Sequence, residues 1–251
     1  MTHATYPSLA DRVVLVTGGA SGIGAAIVDA FMGQGSKVGF LDLDEEGAKA
    51  LVDKHGGKNI AFERCDLRDI DALQASIGRV RDALGPITVL VNNAARDDRH
   101  TMESVTSDYW DERLATNLKH QFFASQAVAP DMKAAGKGAI VCMGSVSWVK
   151  GQGGMPCYTT AKSAVQGLTR SLARDLGPDN IRVNSILPGW IMTQRQIDMW
   201  LTPESEKELM ARQCLKRKLM PEDIARPVLF FSSDEASACT NQSYIVDGGW
   251  V

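Results

Sequence analysis

The sequence predicts an α/β protein: one domain, residues 1–251, built on a doubly wound parallel sheet of about seven strands. Three observations predict it. Helix-like and strand-like segments alternate from end to end, the signature of a parallel sheet with helices on both faces. The first strand, Val13-Val14-Leu15-Val16, is a continuous apolar run of the kind buried on both faces, and it leads into a glycine-rich turn and an apolar-periodic helix. Finally, Gly18, Asp42, Asp66, Asn93, Ser145 and Gly189 each fall just past the carboxyl end of a predicted strand, the edge where open parallel sheets hold ligands.

The elements follow in order. Residues 37–41 form the second strand, ended by Asp42, and a polar helix at about 44–55 closes at Gly56-Gly57. Residues 60–64 are the third strand, with Cys65-Asp66-Leu67 at its end. A helix near 69–84 stops at Gly85-Pro86. The fourth strand, 87–91, runs into Asn92-Asn93-Ala94-Ala95. Residues 107–135 read as one long helix interrupted near Asn117, with Pro130 a candidate break or kink. Residues 139–143 are the fifth strand, and Gly144-Ser145 opens a loop of small residues. A helix at about 157–176 stops at Gly177-Pro178, and 181–187 is the sixth strand, followed by Pro188-Gly189. Residues 190–220 read as less regular; a helix near 221–232 and a short strand, 243–246, close the fold.

Composition excludes several classes. A net charge of −3 gives no reason to expect a nucleic acid or an anionic membrane as partner. Cys65, Cys142, Cys157, Cys214 and Cys239 are odd in number and contain no CxxC pair, so neither a disulfide framework nor a zinc site is expected. His3, His55, His100 and His120 share no metal-ligand spacing, and no metal is expected. With no apolar leader in residues 1–11 and no run of about 18 apolar residues, the reading is a cytoplasmic protein with reduced thiols.

The glycine-rich turn carries the first chemistry. Gly18 permits a tight exit from the strand, Gly22 lets backbone N–H groups approach a pyrophosphate, and Gly24 lets the helix pack close to the sheet. The pyrophosphate would sit on the helix N-terminus, where free N–H groups and the dipole favour anions. Asp42, 24 residues after Gly18, ends the second strand where a carboxylate accepts hydrogen bonds from an adenosine ribose and repels a 2′-phosphate. Neither Gly19-Ala20-Ser21 nor Leu43-Asp44-Glu45-Glu46 contains a Lys or Arg, so the expected cofactor is NAD rather than NADP. Asp66 and Leu67 would flank the adenine, with Asp66 accepting from its amino group or capping the helix that follows.

The second chemistry lies downstream. Tyr158 and Lys162 are four apart on a predicted helix and share a face, and Ser145 precedes Tyr158 by 13 residues. A free tyrosine, with a pKa of about 10, is a poor base at neutral pH. A neighbouring ammonium favours the phenolate and would make it usable.

Thr17-Gly18-xxx-Gly22-Ile23-Gly24, Asn92-Asn93-Ala94-Ala95, Asn117, Ser145, Tyr158-xxx-Lys162 and Pro188-Gly189 together resemble the short-chain dehydrogenase/reductase family across essentially the whole chain. The resemblance implies a Rossmann-type fold, with Tyr158 as general acid/base and Ser145 positioning the substrate oxygen. Lys162 would hold the nicotinamide ribose and lower the tyrosine pKa. Asn117 would kink its helix and anchor a water relaying protons to Lys162. It also implies a cofactor site of Gly18, Ser21, Gly22, Ile23, Gly24, Asp42, Asp66, Leu67, Asn93, Tyr158, Lys162, Pro188, Gly189, Ile191 and Thr193, and a homotetramer. The apolar end, Trp250-Val251, suits burial either between subunits or within the chain. Ala95 stands where the family has glycine, adding a methyl near the nicotinamide side.

The substrate wall is expected from residues 96–100, 146–155 and 190–200, which mix Arg96, Asp97, Asp98, Arg99, His100, Lys150 and Gln152 with Trp148, Trp190 and Trp200. Polar partners for hydroxyls beside aromatic faces suit a compact monosaccharide better than a long apolar chain. Residues 93–100 and 109–113 and the Asp247-Gly248-Gly249-Trp250 ending resemble the sugar 1-dehydrogenase branch of the family. That branch implies oxidation of a cyclic aldose at its anomeric hydroxyl to an aldonolactone. The expected substrate contacts are Ser145, Ser147, Trp148, Gln152, Tyr158, Trp190 and His100. A polyol, a hydroxysteroid or a 3-oxoacyl thioester remains the alternative substrate, and a non-catalytic nucleotide-binding scaffold the alternative role.

Overall fold

The computed structural model describes residues 4–251. Seven strands form one parallel sheet in the order β3-β2-β1-β4-β5-β6-β7. They are β1 (Val13–Thr17), β2 (Lys37–Asp42), β3 (Ile60–Arg64), β4 (Val89–Asn92), β5 (Gly138–Met143), β6 (Ile181–Pro188) and β7 (Ser243–Val246). The strand order reverses direction between β1 and β4, which opens a crevice beyond their carboxyl ends.

Alternation along each buried strand divides the core in two. Val14 and Val16 of β1 and Val38 and Phe40 of β2 face one side. There they pack with α1 (Gly22–Gly33), α2 (Glu45–Lys54) and α9 (Pro221–Ser232) through Ile27, Phe31, Leu51 and Val228. Val13 and Leu15 face the other side. They pack with α3 (Ile70–Leu84), α5 (His120–Ala134) and α6 (Pro156–Leu176) through Ile77, Val128 and Val165. The strands β3 and β7 are the edges, and Tyr244 and Ile245 of β7 are exposed.

The expected long helix at 107–135 is two helices joined by a wider turn. α4 (Ser107–Leu114) passes into a π-helical segment, Ala115–Lys119, and then into α5. The interruption falls at Asn117, as its position predicts. Pro130 breaks nothing: the helix continues to Ala134. Pro130 and Gln126, whose carbonyl loses its helical donor, both face solvent, so water can satisfy the freed group. Residues 190–220, read as less regular, hold two helices, α7 (Gln194–Trp200) and α8 (Pro203–Arg212). Both are short and polar, which hides their period. Their caps were visible: Thr193 accepts from Gln196 N, and Thr202 and Ser205 form a capping box before Pro203.

Candidate active site

The crevice is a cleft of ≈1060 Å³ along the carboxyl ends of the strands. At one end the chain leaves β1 through Gly18, whose φ of +66° is left-handed and whose N–H donates to the Leu41 carbonyl at 2.7 Å. A side chain there would begin 2.8 Å from the Ala94 Cα. Gly24 is tighter: a Cβ would lie 1.8 Å from the Gly18 carbonyl oxygen and 2.8 Å from Asn93 Nδ2. Asn93 staples this turn to β4, donating from Nδ2 to the carbonyls of Thr17 (3.0 Å) and Gly18 (2.9 Å). Ser21 caps α1 without a side-chain bond to its first turn, so those backbone N–H groups remain for a ligand.

Asp42 is held by three backbone N–H groups, those of Ala20 (2.9 Å), Leu43 (2.7 Å) and Asp44 (3.1 Å). The nearby arginines are already committed: Arg64 to Glu45, and Arg68 to Asp66 and Glu112. Asp66 does not cap the following helix; Asp69 does, accepting from Ala72 N at 3.0 Å. Asp66 instead accepts from Arg68 at both carboxylate oxygens, which lowers its pKa.

At the other end, α6 carries Tyr158 and Lys162 one turn apart, with Lys162 Nζ 5.8 Å from the tyrosine ring centroid. Lys162 is fully buried, donates to the Met143 carbonyl at 2.7 Å, and is pulled down by burial to about 8. Ser145 follows β5 and accepts from Ser147 N at 3.1 Å. The expectation that Lys162 lowers the phenol is corrected: the Tyr158 pKa lies above its ordinary value. Burial is the main cause, the Asp97 charge adds to it, and a hydrogen bond from Ser145 and the charge of Arg99 oppose it only in part. The ring keeps some exposure to the cleft, so water tempers the effect.

Asn117 is fully buried behind the cleft rather than lining it. Its Oδ1 accepts from Arg96 N at 2.8 Å and its Nδ2 donates to the Arg113 carbonyl at 2.9 Å. It therefore fixes the loop after β4 against the π-helical turn. The cofactor candidates Gly18, Ser21, Gly22, Ile23, Gly24, Asp42, Asp66, Leu67, Asn93, Tyr158, Lys162, Pro188, Gly189, Ile191 and Thr193 all line the one cleft. Glycines that leave room for a ligand, free helical N–H groups and a fixed carboxylate fit a nicotinamide dinucleotide.

The substrate candidates Ser145, Ser147, Gln152, Tyr158 and Trp190 line the cleft as well. Trp148 and His100 do not. Trp148 borders a separate shallow hollow with Thr159 and Ser163. His100 Nε2 accepts from Cys157 N at 3.3 Å and its ring stacks edge-on with Tyr109, so it anchors the start of α6. Gln196, inside the expected 190–200 wall but not singled out there, lines the cleft, and Trp250 enters it unforeseen. Trp250 arrives because Asp247 accepts from Gly249 N and Val251 N and turns the tail back, through two left-handed glycines the sequence displays. There its ring lies 3.7 Å from Lys150 Nζ, an intrachain packing role.

One buried group lies behind the site. His120 is fully enclosed, and burial together with the charge of Lys162 drives it down to about 3, against the smaller opposing pull of the Ala115 and Thr116 backbone. A histidine that stays neutral when folded but charges when unfolded stabilises the protein above its unfolded pKa of about 6.5, and that stability is lost as pH falls toward 3. Between pH 7 and 5 this group alone should cost about 2 kcal/mol of unfolding free energy. Urea denaturation of wild type and His120→Gln checks it: the variant should lose that much less over the interval. Equal pH slopes contradict a neutral buried imidazole.

Known proteins share this architecture. A family model described as enoyl-(acyl carrier protein) reductase matches residues 18–251. D-xylose 1-dehydrogenase of Caulobacter vibrioides is 47% identical over all of both chains. A protein of Rhizobium meliloti named probable galactose dehydrogenase is 50% identical, over 99% of this chain and 98% of its own. A crystal structure from Sinorhizobium meliloti, named as that of a putative short-chain alcohol dehydrogenase, superposes with a TM-score of 0.91 at 31% identity, covering 97% of this chain and 98% of that one. With the glycine turn, the Tyr158–Lys162 pair and Ser145 in one cleft, the chain belongs to the short-chain dehydrogenase/reductase family, oxidoreductases that act on CH–OH groups with a nicotinamide cofactor.

Proposed function

We propose that this protein oxidises a cyclic aldose at its anomeric carbon to an aldonolactone, with NAD as acceptor. The observation that carries the reading is the composition of one continuous cleft: Asp42 fixed at one end, Ser145, Tyr158 and Lys162 at the other, and a wall of Asp97, Gln152, Gln196, Trp190 and Trp200 beside them. Hydroxyls need such polar partners, and sugar C–H faces pack on indole rings. An acyl thioester would need a continuous apolar slot, which these groups interrupt. The names of the aldose-oxidising relatives agree with the reading.

Tyr158 takes the proton of the anomeric hydroxyl, and Ser145 holds that oxygen in place. Lys162, buried beneath, would hold the ribose hydroxyls, and the proton taken up by Tyr158 is released to solvent at the open cleft. When bound, the nicotinamide supplies the acceptor for the C1 hydride. Asp42, already oriented by three N–H groups, meets the adenosine ribose. A 2′-phosphate would face that carboxylate with the flanking arginines engaged elsewhere. Because oxidation consumes the phenolate of a group held above its ordinary pKa, its kcat/KM rises toward alkaline pH, and that of the reverse reaction falls.

The exposed apolar residues of edge strand β7 support assembly into a homotetramer, as the family implies. Among the described residues no helix is long and apolar enough to cross a membrane; a cytoplasmic location is part of the proposal. Initial rates of nicotinamide reduction, with NAD and NADP against aldoses, polyols and secondary alcohols, test the whole reading. Turnover of one or two aldoses with NAD is expected. Turnover confined to non-sugar alcohols, or to NADP, overturns it.

A further inference from the structure

Asp97 follows β4 and lines the cleft with Ser145 and Tyr158. Its charge reaches both members of the acid/base pair, Tyr158 and Lys162. It is also held from across the cleft: its Oδ2 accepts from Gln196 Nε2 at 2.8 Å, and Gln196 Oε1 in turn accepts from Trp190 Nε1 at 2.8 Å. Its Oδ1 lies 3.5 Å from Arg195 Nε, and its side chain is 19% exposed. An ionised carboxylate offers about four acceptor positions. Gln196 takes one and Arg195 approaches another, so acceptor capacity remains beside the reacting centre.

We infer that Asp97 is the specificity-determining residue of this cleft, accepting hydrogen bonds from a hydroxyl, or a pair of neighbouring hydroxyls, adjacent to the carbon that is oxidised. The inference rests on the aldose reading above and assigns the substrate's second point of attachment, Ser145 and Tyr158 being the first. A fixed acceptor rewards a donor at one position and leaves itself unpaired when that donor is missing, so discrimination comes from the penalty on the wrong substrate. The same charge repels substrates that carry a carboxylate or phosphate at that position.

The test uses the full-length enzyme, the aldose with the highest turnover and its 2-deoxy analogue. Wild type should prefer the parent sugar by about 10²-fold in kcat/KM. Asp97→Asn should lose about 10²-fold on the parent, mainly through KM, and bring the two sugars within about tenfold of each other. NAD affinity, followed by tryptophan fluorescence, should stay within about threefold, since Asp97 is not among the groups assigned to the dinucleotide.

The pH profile separates this role from simple packing. The phenol is flanked by Ser145, Arg99, Asp97 and Lys162, and Asp97 by Arg195 and Gln196. Removing the Asp97 charge should therefore move the acid limb of kcat/KM to lower pH. Asp97→Glu, which keeps the charge but displaces the acceptor, should leave that limb in place and still lose the sugar preference. If Asp97→Asn slows both sugars equally with an unchanged pH profile, and Gln196→Ala does the same, Asp97 only latches α7 and the inference falls. If wild type turns over no aldose, the aldose reading fails first. The Asp97 inference then fails separately if wild type and Asp97→Asn show the same preference between a vicinal diol and its mono-alcohol among the substrates that do react.

Discussion

Replacing Tyr158 with phenylalanine is expected to lower kcat by about 10²–10⁴-fold, the usual contribution of a positioned acid/base group. The ring would remain on α6, in the cleft beside Ser145, and only the proton-carrying oxygen would be lost. Dinucleotide affinity should change little, because Asp42, the glycine turn and Lys162 are untouched. This combination distinguishes an enzyme from a nucleotide-binding scaffold: a scaffold would lose nothing measurable. A variant that keeps more than a tenth of wild-type turnover would show that another group handles the proton. A variant that loses NAD binding as well would show that the phenol oxygen serves cofactor attachment first.

The second large effect is expected at the other end of the cleft, from Gly24→Ala. The added methyl would sit 1.8 Å from the Gly18 carbonyl oxygen, far inside contact distance, and 2.8 Å from Asn93 Nδ2, so the Gly18 backbone and the amide that staples it would both have to move. Gly18 is already pinned, its N–H on Leu41 and its carbonyl on Asn93. Overpacking of this kind costs about 1–3 kcal/mol or more, which in a protein of this size lowers Tm by roughly 2–4 °C per kcal/mol. The relief available is for α1 to back away from β1, which carries its N-terminal N–H groups away from the anion site. Loss of measurable NAD binding should therefore accompany a drop in Tm of several degrees. Calorimetry together with a fluorescence titration checks both, and unchanged values would mean the helix is not packed as closely as described. Gly33, where an added Cβ meets nothing within 4 Å, is the natural control.

These two sites show how much was legible in the sequence and why. The glycine spacing, Asp42 and the Tyr158–Lys162 pair are local patterns whose chemistry depends on residues a few positions apart or on the end of a strand. Runs of apolar residues marked those strands, and the structure brings the pieces together at one edge. The substrate side depends on long-range packing. His100 has the composition of a ligand-binding residue, yet it is spent on Cys157 N, 57 residues away. Gln196 enters the cleft because Trp190 and Asp97 hold its amide from either side, an arrangement no local spacing encodes. The cap that the sequence offers at Asp66 falls instead to Asp69, because Arg68 occupies the Asp66 carboxylate. The shift of Tyr158 depends on how deeply α6 is covered and on a carboxylate from another loop, so its direction could not be read from a Tyr-x-x-x-Lys spacing.

The central claim concerns which bond is broken, and isotopic labelling addresses that directly. An aldose deuterated at C1 should be oxidised by the wild-type enzyme with a primary kinetic isotope effect whenever hydride transfer limits the rate. Mass spectrometry should find the deuterium in the reduced NAD, and carbon NMR should show the aldonolactone as first product. Deuterium retained on the sugar, with unlabelled reduced nicotinamide formed at the same time, would mean that a different hydroxyl is oxidised and would contradict the assignment of the anomeric carbon to Tyr158 and Ser145.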